Sequence, residues 1–132
     1  MSSAAEGAWV DVAEAIHEAE ALLPGVALEE GQDPRWQAII AVGEFVESDP
    51  EAVWGFVRRW GGDLQEDLRD AIATCLLEHL LEYHFTVYFP QVEQLAHADP
   101  LFADTFRRCW QFGQSLEPGN AERFVALAER VG

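Results

Sequence analysis

Residues 49–60 read DPEAVWGFVRRW and residues 99–110 read DPLFADTFRRCW, so Asp49, Pro50, Phe56, Arg58 and Trp60 align at a single offset with Asp99, Pro100, Phe106, Arg108 and Trp110. Asp followed by Pro starts a helix for a physical reason. The carboxylate accepts amide protons that the first turn leaves orphaned, and Pro at that place gives up no hydrogen bond. A third such pair, Asp33 and Pro34, opens another stretch of helical spacing. Helix starts are therefore written three times in the chain, and the architecture follows from what lies between them.

Working outward, the apolar residues Val53, Trp54, Phe56, Val57 and Trp60 give the helix after Asp49 a wide buried face, closed by Gly61 and Gly62. From Asp63 to about His84 the spacing predicts the longest helix. Leu64, Leu68, Ile72, Cys75, Leu76 and Tyr83 fall on one flank and Leu77, Leu80 and Leu81 on another, which marks a central helix. Upstream, Asp33 caps a helix carrying Trp36, Ile39, Ile40, Gly43 and Val46, and Gly43 marks a close approach of another helix. A first helix is predicted from about Ala8 to Leu23, with Trp9, Val12, Ala13, Ile16 and Leu23 on one side, ended by Pro24 and Gly25. Downstream, Pro90 is expected in the first turn of a short helix reaching Ala98, because an interior Pro costs roughly 3 kcal/mol. Asp99 caps the next helix, with Leu101, Phe102, Phe106, Cys109 and Trp110. A last amphipathic helix carries Phe124, Leu127, Ala128 and Val131 after Pro118, Gly119 and Asn120. Only Phe85 to Phe89 combines β-branched and aromatic residues, too short a run to pair alone. The fold class is all-α, with six or seven antiparallel helices arranged as a compact bundle or an α-α superhelix.

A chain of 132 residues with 49% hydrophobic content makes one domain. It divides into an acidic N-terminal helix and loop (1–32), a core (33–113) and a C-terminal helix (119–131). Cys75 and Cys109 lie inside apolar helical patterns and read as reduced thiols of a cytosolic protein. No leader pattern opens the chain and no apolar run approaches the ~20 residues of a membrane span, so the expected place is the cytoplasm.

Charge is the second informative feature. Twenty-four acidic residues face eight basic ones, all Arg, and residues 1–34 carry eight acids and no base, for a formal net charge of −16. That field repels nucleic-acid phosphates and anionic lipid and favours a cationic partner, while also serving solubility. The absence of Lys suits a GC-rich bacterial genome.

The run Asp33, Pro34, Arg35, then Ala38, Ile39, Ala41, Val42 and Gly43, is similar to the second helix of a HEAT-type repeat, in which Asp and Arg precede an alanine- and aliphatic-rich stretch. Asp67, Leu68, Arg69, Ala71, Ile72 and Ala73 resemble it again 34 positions on. The resemblance covers about residues 33–113. It implies stacked antiparallel helix pairs, whose customary use is to hold other macromolecules.

Residues able to carry chemistry are few. Cys75 and His79 lie four apart on one helical face with Glu82 a turn on, a partial zinc-ligand set and the basis of the alternative reading, a metal-dependent enzyme or sensor. The plainer role of His79 is that of a core histidine hydrogen-bonded to Glu or Tyr. Glu14 and His17 form one ExxH pair, but a di-iron bundle needs two such pairs and two further Glu residues. Cys75 in apolar surroundings makes a poor nucleophile. No Gly-rich phosphate loop occurs: Gly61 and Gly62 run into Asp63. Arg58 with Arg59 and Arg107 with Arg108 sit near the ends of matching helices, where cations offset the helix dipole. No catalytic residue, metal site or cofactor is therefore assigned.

The leading expectation is a non-enzymatic protein-binding module. Asp11, Glu14, Glu18, Glu29 and Glu30 supply the attracting field, and Trp60 and Trp110 at helix ends supply aromatic anchors for a basic protein partner. In size, charge and helicity the chain resembles bacterial immunity or inhibitor proteins that neutralise cationic toxins. The oligomeric state has no signature in the sequence.

Overall fold

Asp at a helix start behaves in two ways in this structure, a computed structural model that describes residues 11–28 and 30–131. Asp33 and Asp99 accept the backbone N–H two residues on, from Arg35 and Leu101, both at 2.9 Å. Asp49 also precedes its helix but makes no capping bond. Its carboxylate instead accepts the Ser48 hydroxyl at 3.1 Å. The predicted cap at Asp49 is thus corrected, although Pro50 still sets the start.

The described residues contain helix and no strand. α1 runs Val12–Glu20, α2 Pro34–Gly43, α3 Pro50–Trp60, α4 Glu66–Ile72, α5 Glu78–Ala98, α6 Pro100–Arg107 and α7 Asn120–Val131. A π turn, Ala73–Leu77, joins α4 to α5 without interruption, so the seven segments form six rods. A 3-10 turn, Gly113–Leu116, precedes α7. α1 begins later than predicted, with Asp11 as its cap, and Ala8 and Trp9 lie outside the described residues. Its buried residues are Ala15 and Ala19, flanked by half-buried Val12 and Ile16, while Ala13 is exposed. Two alanines four apart present a flat stripe that lets α1 lie close on α2.

The long central rod departs most from expectation. It does not end at His84 but continues to Ala98, bent where His84 leaves helical geometry (φ −139°, ψ 43°). Phe85–Phe89 is helical, and Pro90 lies in the second turn after the bend rather than in a first turn. Pro90 and Thr86, whose carbonyl loses its partner, are both exposed, which keeps the cost of an interior Pro small.

The π turn explains why this rod looked apolar on most sides. One inserted residue turns everything after it by about 100° relative to an unbroken α-helix. The buried stripe therefore runs Leu68 and Ile72, steps to Leu76, Leu77, Leu80 and Leu81, and steps again at the bend to Phe85, Tyr88, Phe89, Val92 and Ala96. Cys75, His79 and Tyr83, which continue the stripe in unbroken spacing, are rotated outward. His79 is only half-buried, which corrects the expected core histidine. Gly43 lets α2 lie against the π turn: a Cβ there would stand 2.9 Å from the Cys75 carbonyl oxygen, so the predicted close approach is real.

Around α5 pack α3, α6 and α7. Their rings fill the centre: Phe85 stacks on Phe89 (4.5 Å between centroids), Phe89 meets Phe106 (6.2 Å), and Phe106 meets Phe124 (4.7 Å).

Two buried arginines tie successive even-numbered helices together. Arg35 of α2 pairs with Asp33 (2.7 Å) and with Asp67 of α4, and it donates to the Pro24 carbonyl (2.8 Å) and the Gln65 amide oxygen (3.0 Å). Arg69 of α4 pairs with Asp104 of α6 (3.0 Å) and donates to the carbonyls of Asp63 (2.9 Å) and Leu64 (3.0 Å). Arg35 and Arg69 stand 34 positions apart, the offset at which the sequence repeats, and each reaches the next rung.

Candidate functional site

The rotation imposed by the π turn brings a set of polar and aromatic groups to one face. Ile40 and Gly43 of α2, with Glu44 just past its end, form one wall of a cleft of about 390 Å³, and Thr74, Cys75 and His79 form the other. Thr74 donates its hydroxyl to the Asp70 carbonyl at 2.9 Å, so it is occupied with its own backbone. His79 Nδ1 is 2.8 Å from Glu82 Oε1, and Nε2 is 3.6 Å from Glu78 Oε2.

The segment after α6 closes over this face. Glu78, a buried carboxylate, accepts the Trp110 backbone N–H at 2.9 Å. The Phe112 ring lies parallel to the His79 imidazole, with centroids 5.9 Å apart and 13° between planes. Gly113 adopts φ +51°, and a Cβ there would fall 2.8 Å from Glu82 Cγ, so only glycine lets the chain pass this close. Held at these three points, Trp110 projects its side chain into solvent with 71% of its surface exposed. Ile40 (46%) and Phe112 (39%) are exposed beside the same cleft and loop.

Electrostatics on this face argue against nucleophilic chemistry by either thiol. Burial first, and then the Glu78 charge, push the Cys109 thiol well up. Burial, Glu78 and Asp70 raise the Cys75 thiol, so neither sulfur is a ready thiolate. Burial also raises Glu78, although the Trp110 N–H and His79 pull the other way. Among the described residues no group of three or more His, Cys, Asp and Glu is arranged to hold a metal ion. What the face offers is an exposed indole and phenyl ring close to Glu82, with Glu44 lining the cleft beside His79.

The acids named from the sequence lie elsewhere. Asp11 caps α1, accepting the Glu14 N–H at 2.9 Å, and Glu14 and Glu18 are exposed along the same helix. Glu30 is exposed in the following loop, and Glu29 falls outside the described residues. Trp60 is half-buried. Its indole N–H donates to Glu20 Oε2 at 3.2 Å, and the Arg59 guanidinium sits 5.5 Å from its ring. Trp60 thus braces α3 against α1, whereas Trp110 stands free over the start of α5. Sequence reading missed Glu78, Phe112, Ile40 and Glu44, because their convergence depends on the extra residue in the π turn, which no local spacing announces.

Comparison with known proteins gives no match among family models, curated proteins or solved structures.

Proposed function

We propose that the chain is a non-enzymatic binding module that docks a basic protein, acting as immunity or inhibitor proteins do in a bacterial cytoplasm. The carrying observation is Trp110: its backbone N–H is held by the buried Glu78 while its indole stays exposed, two residues before the exposed Phe112. An apolar centre with a charged rim is the anatomy of a protein interface, and Trp is the residue most often found at its energetic centre. The field of a chain with net charge −16 speeds encounter with a cation and deters anionic partners. The rungs Arg35–Asp67 and Arg69–Asp104 support a stacked, HEAT-like reading of α2, α4 and α6, an architecture suited to holding another macromolecule.

The test is a pull-down from native lysate with wild-type protein and Trp110→Ala at about 0.05 M and 0.5 M NaCl. The expected result is one basic protein retained at low salt and released at high salt. Trp110→Ala should weaken that retention roughly thirtyfold, the scale of a hot-spot tryptophan. Retention that ignores salt, or a Trp110→Ala protein that binds as wild type does, would refute the reading.

A further inference from the structure

A second recessed surface lies between α3 and α5 and shares no residue with the Trp110 face. Three adjoining hollows make one trough. The largest is lined by Ser48, Asp49, Glu51 and Tyr88. A middle one of about 400 Å³ is lined by Glu51, Trp54, Gly55, Arg58, Tyr88 and Gln91. A third of about 190 Å³ carries Trp54, Arg58 and Gln91 on to Gln94 and Leu95.

Four features set this trough apart from an ordinary helix seam. Gly55 sits mid-helix with nothing within 4 Å of where a Cβ would be, so the sequence leaves the middle open where Ala would favour the helix. Trp54, only 4% exposed, lines two of the hollows, and its indole N–H is buried without an acceptor. A buried donor left unpaired costs about 1–3 kcal/mol, and native proteins tolerate few. Arg58 is the only one of the eight arginines with no carboxylate within 4.0 Å among the described residues. In a chain so rich in acids, an arginine kept clear of every described one is an available cation. Glu51, two turns earlier on the same face, likewise has no ion-pair partner among the described residues. It lies near enough to Tyr88 that, after burial, its charge is the second cause raising that phenol.

The trough is therefore bipolar. Seven residues separate Glu51 from Arg58, about 10 Å along a helix axis. Three extended peptide residues span about the same length. We propose that the trough between α3 and α5 binds a short peptide with free termini, about three residues long, whose carboxylate pairs with Arg58 and whose ammonium lies toward Glu51. Its carbonyls supply acceptors that the Gln91 and Gln94 amides lining the trough can use. Its apolar side chains cover the exposed Val87. A zwitterion also meets no net repulsion from the acidic protein, and beyond the ~8 Å Debye length at physiological salt the remote acids are screened, leaving Arg58 and Glu51 to set the orientation.

Trileucine, its C-terminal amide and its N-acetyl derivative test this by titration into 15N-labelled full-length protein, following the indole N–H signals, with Trp54→Phe assigning the Trp54 peak. Free trileucine is expected to move the Trp54 signal with a Kd in the millimolar range or tighter. The C-terminal amide should bind at least tenfold more weakly to wild type but equally well to Arg58→Gln, and the acetyl derivative should show the same pattern with Glu51→Gln. Gly55→Leu, placed in open space on a helix, should fold by circular dichroism and lose binding. The proposal falls if trileucine leaves the Trp54 signal still at about 10 mM. It falls equally if blocking the termini changes nothing in wild type, or if Gly55→Leu binds unchanged. None of these outcomes bears on Trp110, so the two surfaces are judged separately.

Discussion

Glu78 is the residue whose chemistry bears most directly on the Trp110 face. Burial raises its pKa above the ordinary value of 4.5, so the folded state holds the proton more tightly than the unfolded chain does. Its contribution to stability is full below that ordinary value and is lost as pH rises through the raised folded pKa. Glu78→Gln keeps an oxygen for the Trp110 N–H and removes the buried charge. The variant is expected to be as stable as wild type or more so at pH 7, with a flatter pH–stability curve just above pH 4.5, as measured by urea unfolding across pH. A variant clearly less stable than wild type at pH 7 would mean that the ionised carboxylate itself holds the loop. Arg35 makes the opposite prediction. It is buried and meets two carboxylates, a carbonyl and an amide oxygen at once, so Arg35→Ala strips partners from all of them. A loss of about 3 kcal/mol is expected in denaturant unfolding, with little rescue by Lys, which lacks the planar fork.

At the scale of elements, the sequence made the helix class and most boundaries legible through local chemistry. Asp33–Pro34 and Asp99–Pro100 start helices as their residues demand, Gly43 sits at the close approach, and α7 buries the predicted Phe124 and Leu127. Unreadable was the phase of the central rod. A π turn and the bend at His84 each shift the apolar stripe, and neither is written in local spacing, so the sequence alone presents the rod as encircled and His79 as buried. The candidate site was legible only in part. Trp110 is legible as a candidate from its place near a predicted helix end, although α6 stops at Arg107, and its carboxylate support, Glu78, emerges only once that phase is known. Two glycines carry this argument into experiment. Gly43→Ala drives a Cβ against the Cys75 carbonyl and should cost about 1–3 kcal/mol, because backbone gives way poorly. Gly55→Ala meets open space and should stabilise by up to about 1 kcal/mol. Thermal melts of the pair decide the matter; equal effects would remove the close approach as the reason for Gly43.

For the molecule as a whole, charge is the governing term. A net charge of −16 on 132 residues repels itself, and added salt screens that repulsion. Salt also weakens exposed ion pairs, but those contribute about 0–1 kcal/mol each, while the pairs of Arg35 and Arg69 are largely shielded from it. Self-repulsion therefore wins, and the melting temperature should rise between low and moderate NaCl in calorimetry; a fall would show the ion pairs to dominate. In acid the balance reverses. The Arg35 guanidinium beside Asp33 holds that carboxyl below its ordinary 3.8, and Arg108 and Arg69 do the same for Asp104 against the opposing pull of burial. Their stabilisation is present above about pH 4 and is lost as pH falls through the lowered values.

The solvent-facing indole of Trp110 also gives the protein an optical signature of its own surface. A fluorophore exposed on a protein of net charge −16 meets caesium more often than iodide, so the cation should quench its emission more efficiently than the anion, with neutral acrylamide between them. Any macromolecule that settled on that ring would shift the emission to the blue and shelter it from all three, so occupancy could be followed without attaching a label.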